Sequence, residues 1–300
     1  MAKSISSKKV LTGKTLTMFT PRIRSRHPSH NAIRRDLAKL PFRSVVRLGS
    51  TTELADIPNN KGMIELNTVA AIKISSNKML MKQAFDRVEA KTAPWAEAKD
   101  IREIASEGIQ FNSAESGVNI PFPIVAKAKF GSKGKGNALI RTQEEFNSWR
   151  SGKTLSNYII EKFMNYGLEY RLHISEEGCF YACRKALKSD CPEDQKWRHH
   201  DDTCVWFKEF NDDNSPSENF KKPNSWNIIV EHCKNALKSI GADILAFDVK
   251  VQSGTTGKGK VREVQDFIIL ESNSAPSFGD VTADMYKKQI PIVLKRKAGK

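Results

Sequence analysis

The sequence predicts an α+β protein, and three observations support this fold class. The chain has 300 residues, of which 39% are hydrophobic, enough for one large domain or for two to three small ones. Residues 226–239 place apolar side chains at helical spacing, and Gly241 follows as a stop signal. Apolar runs of strand length at 244–251 and 267–270 flank a polar segment, which predicts a β-hairpin.

The first elements form a small α/β unit. Residues 1–14 have the composition of a disordered basic arm, and residues 15–20 read as a short strand. A helical pattern at 31–40 precedes a strand at 44–48, which ends at Gly49.

Two helices are expected next. Ser76 or Asn77 could begin a helix that places Lys78 and Lys82 four residues apart on one face. Residues 94–105 also read as a helix, with Pro94 suited to its first turn.

A β-rich run at 121–128 carries Lys127 and passes into a glycine- and lysine-rich loop. Glycines allow backbone N–H groups to converge on an anion, and lysines add positive charge, so the loop reads as a flexible phosphate cover. It lacks the spacing of a Walker loop, and many loops of this composition are plain turns. The cover residues that we expect to bind phosphate are Gly131, Ser132 and Gly134.

The middle of the chain reads as a capped helix at 142–149, a strand at 158–164 and a hairpin of residues 169–174 and 179–187. Arg184 and Lys185 form a basic cluster on the return strand. Residues 189–222 are a polar excursion that contains His199 and has no role assigned from the sequence.

Three side chains near the C-terminus predict a magnesium site. Glu271 and Asn273 lie two residues apart on a strand, so they point to the same face. Pairing the two strands of the hairpin would bring Asp248 beside Glu271. Two carboxylates and an amide suit Mg²⁺ that also holds substrate phosphates.

The net charge of +15 is concentrated at the two ends of the chain. Residues 1–50 carry 12 Lys/Arg against one acid, and residues 287–300 carry six against none. These ends could contact a polyanion such as a nucleic acid, or they could be solvated tails without a specific partner. Five cysteines without paired spacing and no apolar signal segment indicate a cytoplasmic protein with no membrane partner.

Five motifs stand together in one order: Asn-Lys-x3-Lys, Ile-Val-x-Lys with its glycine loop, Ile-Ile-Glu-Lys-Phe-Met, Phe-Asp-Val and Leu-Glu-Ser-Asn-Ser-x-Pro. This ordered set, over about residues 44–285, resembles the ATP-grasp superfamily. It is most similar to the D-alanyl-D-alanine ligase and glutathione synthetase type and to ATP-grasp proteins encoded by tailed bacteriophages.

The resemblance implies the ATP-grasp fold, in which two α+β subdomains clamp ATP. Subdomain A would be residues 76–160, with the phosphate cover. Subdomain B would be 161–290, with the magnesium site. They would follow the α/β unit at 15–75 and precede a basic tail at 291–300.

The resemblance also implies a role for each candidate residue. Lys82 and Lys127 would hold ATP phosphates, Arg184 or Lys185 would face phosphate as well, and Asp248, Glu271 and Asn273 would bind Mg²⁺. The strand that reads adenine would contain Glu161, Lys162 and Met164, and Glu169 would bind the ribose hydroxyls.

The implied activity is ATP-dependent amide formation between a carboxylate and an amine, through an acyl phosphate, with ADP and phosphate released. An alternative is an ATP-grasp protein with reduced catalysis that binds nucleic acid or a virion. A third reading combines the two, with an acceptor on a modified base or on a protein bound to nucleic acid. The acceptor and the oligomeric state are left open.

Overall fold

The structure is a computed structural model that describes residues 15–19, 43–57, 60–112, 118–131, 134, 136–199, 202–276 and 279–299. The arm expected at residues 1–14, the helix expected at 31–40 and Ser132 of the cover lie outside these ranges.

Fifteen strands and five α-helices occur in the described residues. In chain order they are β1 (Thr15–Phe19), β2 (Ser44–Leu48), β3 (Ile64–Leu66), α1 (Val69–Ser76), α2 (Lys78–Asp86), β4 (Trp95–Glu97), β5 (Ile101–Ile104), β6 (Gly108–Phe111), β7 (Val118–Pro121), β8 (Ile124–Ala128), β9 (Ala138–Ile140), α3 (Gln143–Arg150), β10 (Tyr158–Lys162), β11 (Leu168–Ser175), β12 (Gly178–Leu187), β13 (Cys204–Lys208), α4 (Trp226–Ile240), β14 (Ile244–Val251), β15 (Phe267–Asn273) and α5 (Asp280–Lys297). This mixture confirms the α+β class.

A five-stranded antiparallel sheet forms the centre of the molecule, in the order β13-β12-β11-β14-β15. It contains the expected hairpin, because β14 and β15 are paired. One face of this sheet is apolar and packs against α1, α2 and α4 in a single core cluster. Helix α4 ends where the sequence predicts, at Gly241, whose φ of 75° lies in the left-handed region that glycine tolerates.

A four-stranded sheet in the order β4-β10-β8-β9 carries the second core. Its apolar side chains include Ile124, Ala126 and Ile160, and they pack with Phe146 of α3. Thr142 caps α3, and Asn77 caps α2 by accepting from the N–H groups of Met79 and Leu80, so both predicted helix starts are confirmed.

The helix predicted at 94–105 is wrong. Residues 95–97 form β4, which pairs with β10, and residues 101–104 form β5 of a three-stranded sheet with β6 and β7. Ile101 pairs with Phe111 and Ile104 pairs with Ile109 across β5 and β6, so the spacing of these two apolar residues suits a strand as well as a helix. Pairing with strands from elsewhere in the sequence therefore determines the extended conformation of this segment.

The N-terminal strands β1, β2 and β3 form a parallel sheet. Its buried Val46, Leu48 and Leu66 share a core cluster with α5. Helix α5 continues to Lys297 and buries Val293 and Leu294, so most of the residues expected to form a basic tail belong to this helix. No helix in the described ranges combines the length and the apolar character that crossing a bilayer requires.

Candidate functional site

The face of the five-stranded sheet opposite α1, α2 and α4 carries the charged side chains. Residues paired across antiparallel strands project to the same face. Glu169 pairs with Lys185 on one side and with Lys250 on the other, and Arg171 pairs with Asp248. The alternate residues, such as Tyr170 and Leu172, belong to the apolar core. The core against α1, α2 and α4 thus lies on one face, and these charged side chains gather on the other.

Asp248 is buried and bound by cations. Arg171 forms a bidentate pair with it, with Nε 2.7 Å from Oδ1 and Nη2 2.8 Å from Oδ2. Lys185 Nζ lies 3.7 Å from Oδ2. Burial alone would raise the pKa of Asp248, but Arg171 and Lys185 outweigh burial and hold that pKa well below its usual range. Asp248 is therefore an anion at any ordinary pH.

Glu271 and Asn273 lie beside Asp248. The ladder pairs Asp248 with Glu271, and a register shift follows between Asp248 and Val249. Asn273 Nδ2 is 3.3 Å from Asp248 Oδ2 and 3.5 Å from Glu271 Oε1, so its amide bridges the two carboxylates. The three predicted metal ligands are thus adjacent.

These three side chains fit a divalent cation such as Mg²⁺. They offer two carboxylates and, when the Asn273 amide is turned over, a third hard oxygen, which is the donor type that Mg²⁺ takes. Within the described ranges no group of three or more His, Cys, Asp or Glu side chains forms a metal cage. A cation here would therefore depend on oxygens from a ligand such as a phosphate chain.

Glu169 and Lys185 form a second buried pair, with Lys185 Nζ 2.7 Å from Glu169 Oε1. Arg184 lies on the other face of β12, because neighbouring strand residues alternate. Its guanidinium stacks over the ring of Phe207, at 4.6 Å from the ring centroid. The structure therefore brings Lys185, and not Arg184, to Asp248.

The four-stranded sheet has a charged face of its own. Lys127 and Glu161 lie opposite the apolar cluster of that sheet, and Lys127 Nζ is 2.7 Å from Glu161 Oε2. Lys82 of α2 reaches the same carboxylate, with Nζ 3.3 Å from Oε1, and donates to the Thr92 hydroxyl. One buried carboxylate thus holds both lysines predicted to bind phosphate.

The charge states of this triad follow from burial and pairing. Desolvation lowers the pKa of Lys82 to about 8, although Glu161 opposes the shift. Burial acts to raise the pKa of Glu161, but Lys127 and Lys82 outweigh it, and the pKa lies below its usual value. Glu161 is an anion between two cations, and Lys82 loses its charge at a lower pH than an ordinary lysine.

Of the residues predicted to read adenine, Glu161 and Lys162 end β10, and Met164 lies just after it. The N–H of Lys162 donates to Pro94 O, and the carbonyl of Met164 accepts from the N–H of Tyr166. Backbone hydrogen bonds, one to Pro94 and one within the turn, therefore hold this part of the chain in place. In the cover, Lys78 Nζ donates to Gly131 O at 3.3 Å, and Gly134 has a φ of +65°.

The sequence analysis assigned no role to three residues that lie at this charged face: Arg171, Trp206 and His199. Trp206 packs its ring against Arg171 and Lys185, at 5.1 Å and 5.0 Å from the centroid. His199 Nδ1 lies 3.4 Å from Glu169 Oε2. Arg171 occurs two residues after Glu169 on the same strand, and that spacing was the one signal available for it.

Neither protein-family models nor curated protein sequences give a match to this chain. Solved structures do match. An ATP-grasp RimK domain protein from Sphaerobacter thermophilus aligns with a TM-score of 0.50 and 14% identity over 91% of this chain and 98% of that one. D-alanine–D-alanine ligase from Bacillus anthracis complexed with ATP gives 0.57 and 12% over 95% and 96%.

A biotin carboxylase from Campylobacter jejuni, in a β,γ-ATP complex, aligns with a TM-score of 0.51 and 13% identity over 86% of this chain and 55% of that one. Identities this low carry information about the fold alone. The alignments with the first two structures span nearly the whole of both chains. The protein has the ATP-grasp fold.

Proposed function

We propose that this protein is an ATP-dependent ligase that joins a carboxylate to an amine through an acyl phosphate. The observation that supports this best is the single charged face on which Asp248, Glu271 and Asn273 meet beside Lys185. Hard oxygen ligands next to buried cations suit a metal-bound phosphate chain. The matched ATP-grasp structures, two of them determined with an ATP ligand, agree with this assignment.

Asp248, Glu271 and Asn273 would hold Mg²⁺, which would neutralise charge on the phosphates during transfer. Without it, the carboxylates of Glu169, Asp248 and Glu271 already lie among the cations Arg171, Lys185 and Lys250. Added positive charge would therefore be matched by the phosphates that accompany it.

The remaining candidate residues would bind and orient ATP. Lys82, Lys127 and Lys185 are the cations for the phosphates, with the two former aligned by Glu161. Backbone groups of residues 161–164 would contact adenine, and Glu169 would accept from ribose hydroxyls. The cover from Gly131 to Gly136 would exclude water from the reactive acyl phosphate.

The reaction needs two displacements. A carboxylate oxygen of the substrate bonds to the γ-phosphorus as the bond from that phosphorus to the bridging oxygen breaks, so ADP leaves. The amine nitrogen then bonds to the acyl carbon, the carbon–oxygen bond to phosphate breaks, and the nitrogen loses a proton. The protein supplies position and positive charge in both steps.

Incubation with Mg-ATP and a panel of carboxylates and amines, with ADP and product detected by mass, tests the proposal. We expect Glu271→Gln or Lys127→Ala to lower turnover about 100-fold or more, as expected when one preorganised electrostatic group is lost. The exposed changes Glu231→Gln and Lys99→Ala are matched controls. Near wild-type ADP formation by folded Glu271→Gln or Lys127→Ala would remove the assignment.

A further inference from the structure

The segment between β12 and β13 holds His199 against the charged face. The N–H of Lys188 donates to Thr203 O at 2.9 Å and closes the base of the segment. Further along, Lys250 Nζ donates to Trp197 O at 3.1 Å. Lys250 is itself buried on the charged face, so this bond fixes the chain directly before His199. The imidazole is therefore anchored.

The His199 side chain is 3% exposed, and its Nδ1 has no hydrogen-bond partner among the described residues. Burial lowers the pKa of His199, and the charges of Lys250 and Lys185 lower it further, while Glu169 opposes them. A neutral imidazole has one N–H and one acceptor nitrogen. A buried ring nitrogen left unpaired is costly, so it indicates a missing partner.

One atom that could share such a partner is Glu169 Oε2, 3.4 Å from Nδ1. Its other oxygen, Oε1, is engaged by Lys185. Two atoms at this separation can both lie about 2.8 Å from one hydroxyl oxygen. The hydroxyl would donate its hydrogen to the carboxylate and accept from Nδ1–H. The separation of His199 Nδ1 and Glu169 Oε2 is thus one that a single hydroxyl oxygen can bridge.

We propose that His199 acts with Glu169 to read one ribose hydroxyl of the nucleotide and sets the preference for a ribonucleotide. This inference rests on the proposed function, which places the ribose at Glu169.

The test measures dissociation constants of the full chain, with Mg²⁺, for ATP, 2′-deoxy-ATP and 3′-deoxy-ATP by calorimetry. We expect the wild type to bind ATP about tenfold or more tightly than one of the deoxy analogues, because the analogue leaves buried polar groups unpaired. His199→Ala should reduce that preference to about threefold or less by weakening ATP alone. His199→Asn places an amide nitrogen near the Nδ1 position and should keep the preference.

Lys196→Ala is the matched control, because Lys196 is exposed in the same segment and pairs with Glu193. If His199→Ala weakens the binding of all three nucleotides equally, the residue only shapes the site, and the proposal is overturned. Tighter binding of all three would show that the segment obstructs the site and would overturn the proposal as well. Binding without any hydroxyl preference removes this inference alone, whereas failure to bind any adenine nucleotide removes the proposed function with it.

Discussion

Lys82 has a fully buried side chain that shares the Glu161 carboxylate with Lys127. A buried ammonium group persists only while an anion compensates it. Its pKa, lowered to about 8, places its loss of charge close to working pH. In the phosphate-binding role proposed above, Lys82 would therefore bind more weakly as pH rises.

We expect nucleotide affinity to fall as pH rises above about 8. Below that pH the free protein already carries the Lys82 proton, so binding takes up none and the affinity is constant. Above it, a bound phosphate favours the charged form, and each binding event must take up a proton, at a cost of up to about tenfold per pH unit.

Calorimetry with a non-hydrolysable ATP analogue measures this dependence. The range of about pH 6.5 to 9.5 brackets the Lys82 pKa of about 8. Lys82→Arg stays charged throughout and should give a flat profile. An equally flat profile for the wild type would refute the assignment of Lys82.

At the residue scale, the sequence predicted which candidate site residues lie close together better than it predicted the contacts that each one makes. Asp248, Glu271 and Asn273 were predictable because strand alternation and a hairpin require only local reasoning. Arg171 was not, because its partner Asp248 lies 77 residues away. The choice between Arg184 and Lys185 also depended on which face of β12 meets Asp248, and that is fixed by pairing with β11.

Among the elements, the junction between β3 and α1 has the most demanding geometry. Asn67 has a φ of 59°, in the left-handed region, and a fully buried side chain. Its amide nitrogen donates to Arg47 O and Ile244 O, at 3.1 Å and 2.9 Å. Its amide oxygen accepts from the N–H groups of Asp243 and Ile244. One residue thus joins the N-terminal sheet to β14.

We expect Asn67→Ala to lower the free energy of unfolding by about 3 kcal/mol or more. Four hydrogen bonds are lost, each with a net contribution of about 1 kcal/mol, and alanine is strained by about 1 kcal/mol in the left-handed region. Urea denaturation gives the difference.

Asn67→Gly separates the two causes, because glycine tolerates the backbone conformation but lacks the amide. It should be less destabilised than the alanine variant by about 1 kcal/mol. Equal stability of both variants with the wild type would show that this junction does not hold the sheets together.

Helices with their own caps were predictable, and short paired strands were less so. Thr142 and Asn77 cap their helices through neighbours in sequence, and that information is local. The segment 95–104 is divided between two sheets, and its partners β10 and β6 come from different parts of the chain. No local sequence pattern predicts that residues 95–97 and 101–104 belong to different sheets.

For the whole molecule, two sheets each carry charged side chains on one face and an apolar cluster on the other, against α1, α2 and α4 in one sheet and against α3 in the other. The lysines that we propose as phosphate ligands belong to α2 and β8, whereas the proposed metal ligands belong to β14 and β15. A nucleotide that contacts both groups must connect the two sheets.

We expect a bound ATP analogue with Mg²⁺ to slow amide hydrogen exchange in both sheets together, at β8 and β10 and at β11, β14 and β15. Binding stabilises the native state by an amount that rises with ligand concentration over its dissociation constant, about 2.7 kcal/mol at a hundredfold excess. Lys127→Ala should show reduced protection in both places. Protection confined to one sheet would mean that the nucleotide does not bridge them.

The apolar cluster that joins Val46, Leu48 and Leu66 to α5 affects synthesis on the ribosome. Those three residues leave the exit tunnel early, yet their partners Val293 and Leu294 are made more than 200 residues later. Until α5 emerges, the first strands must wait with their apolar side chains uncovered, where chaperones can bind them. The three residues of this sheet are thus made well before the helix that completes their packing.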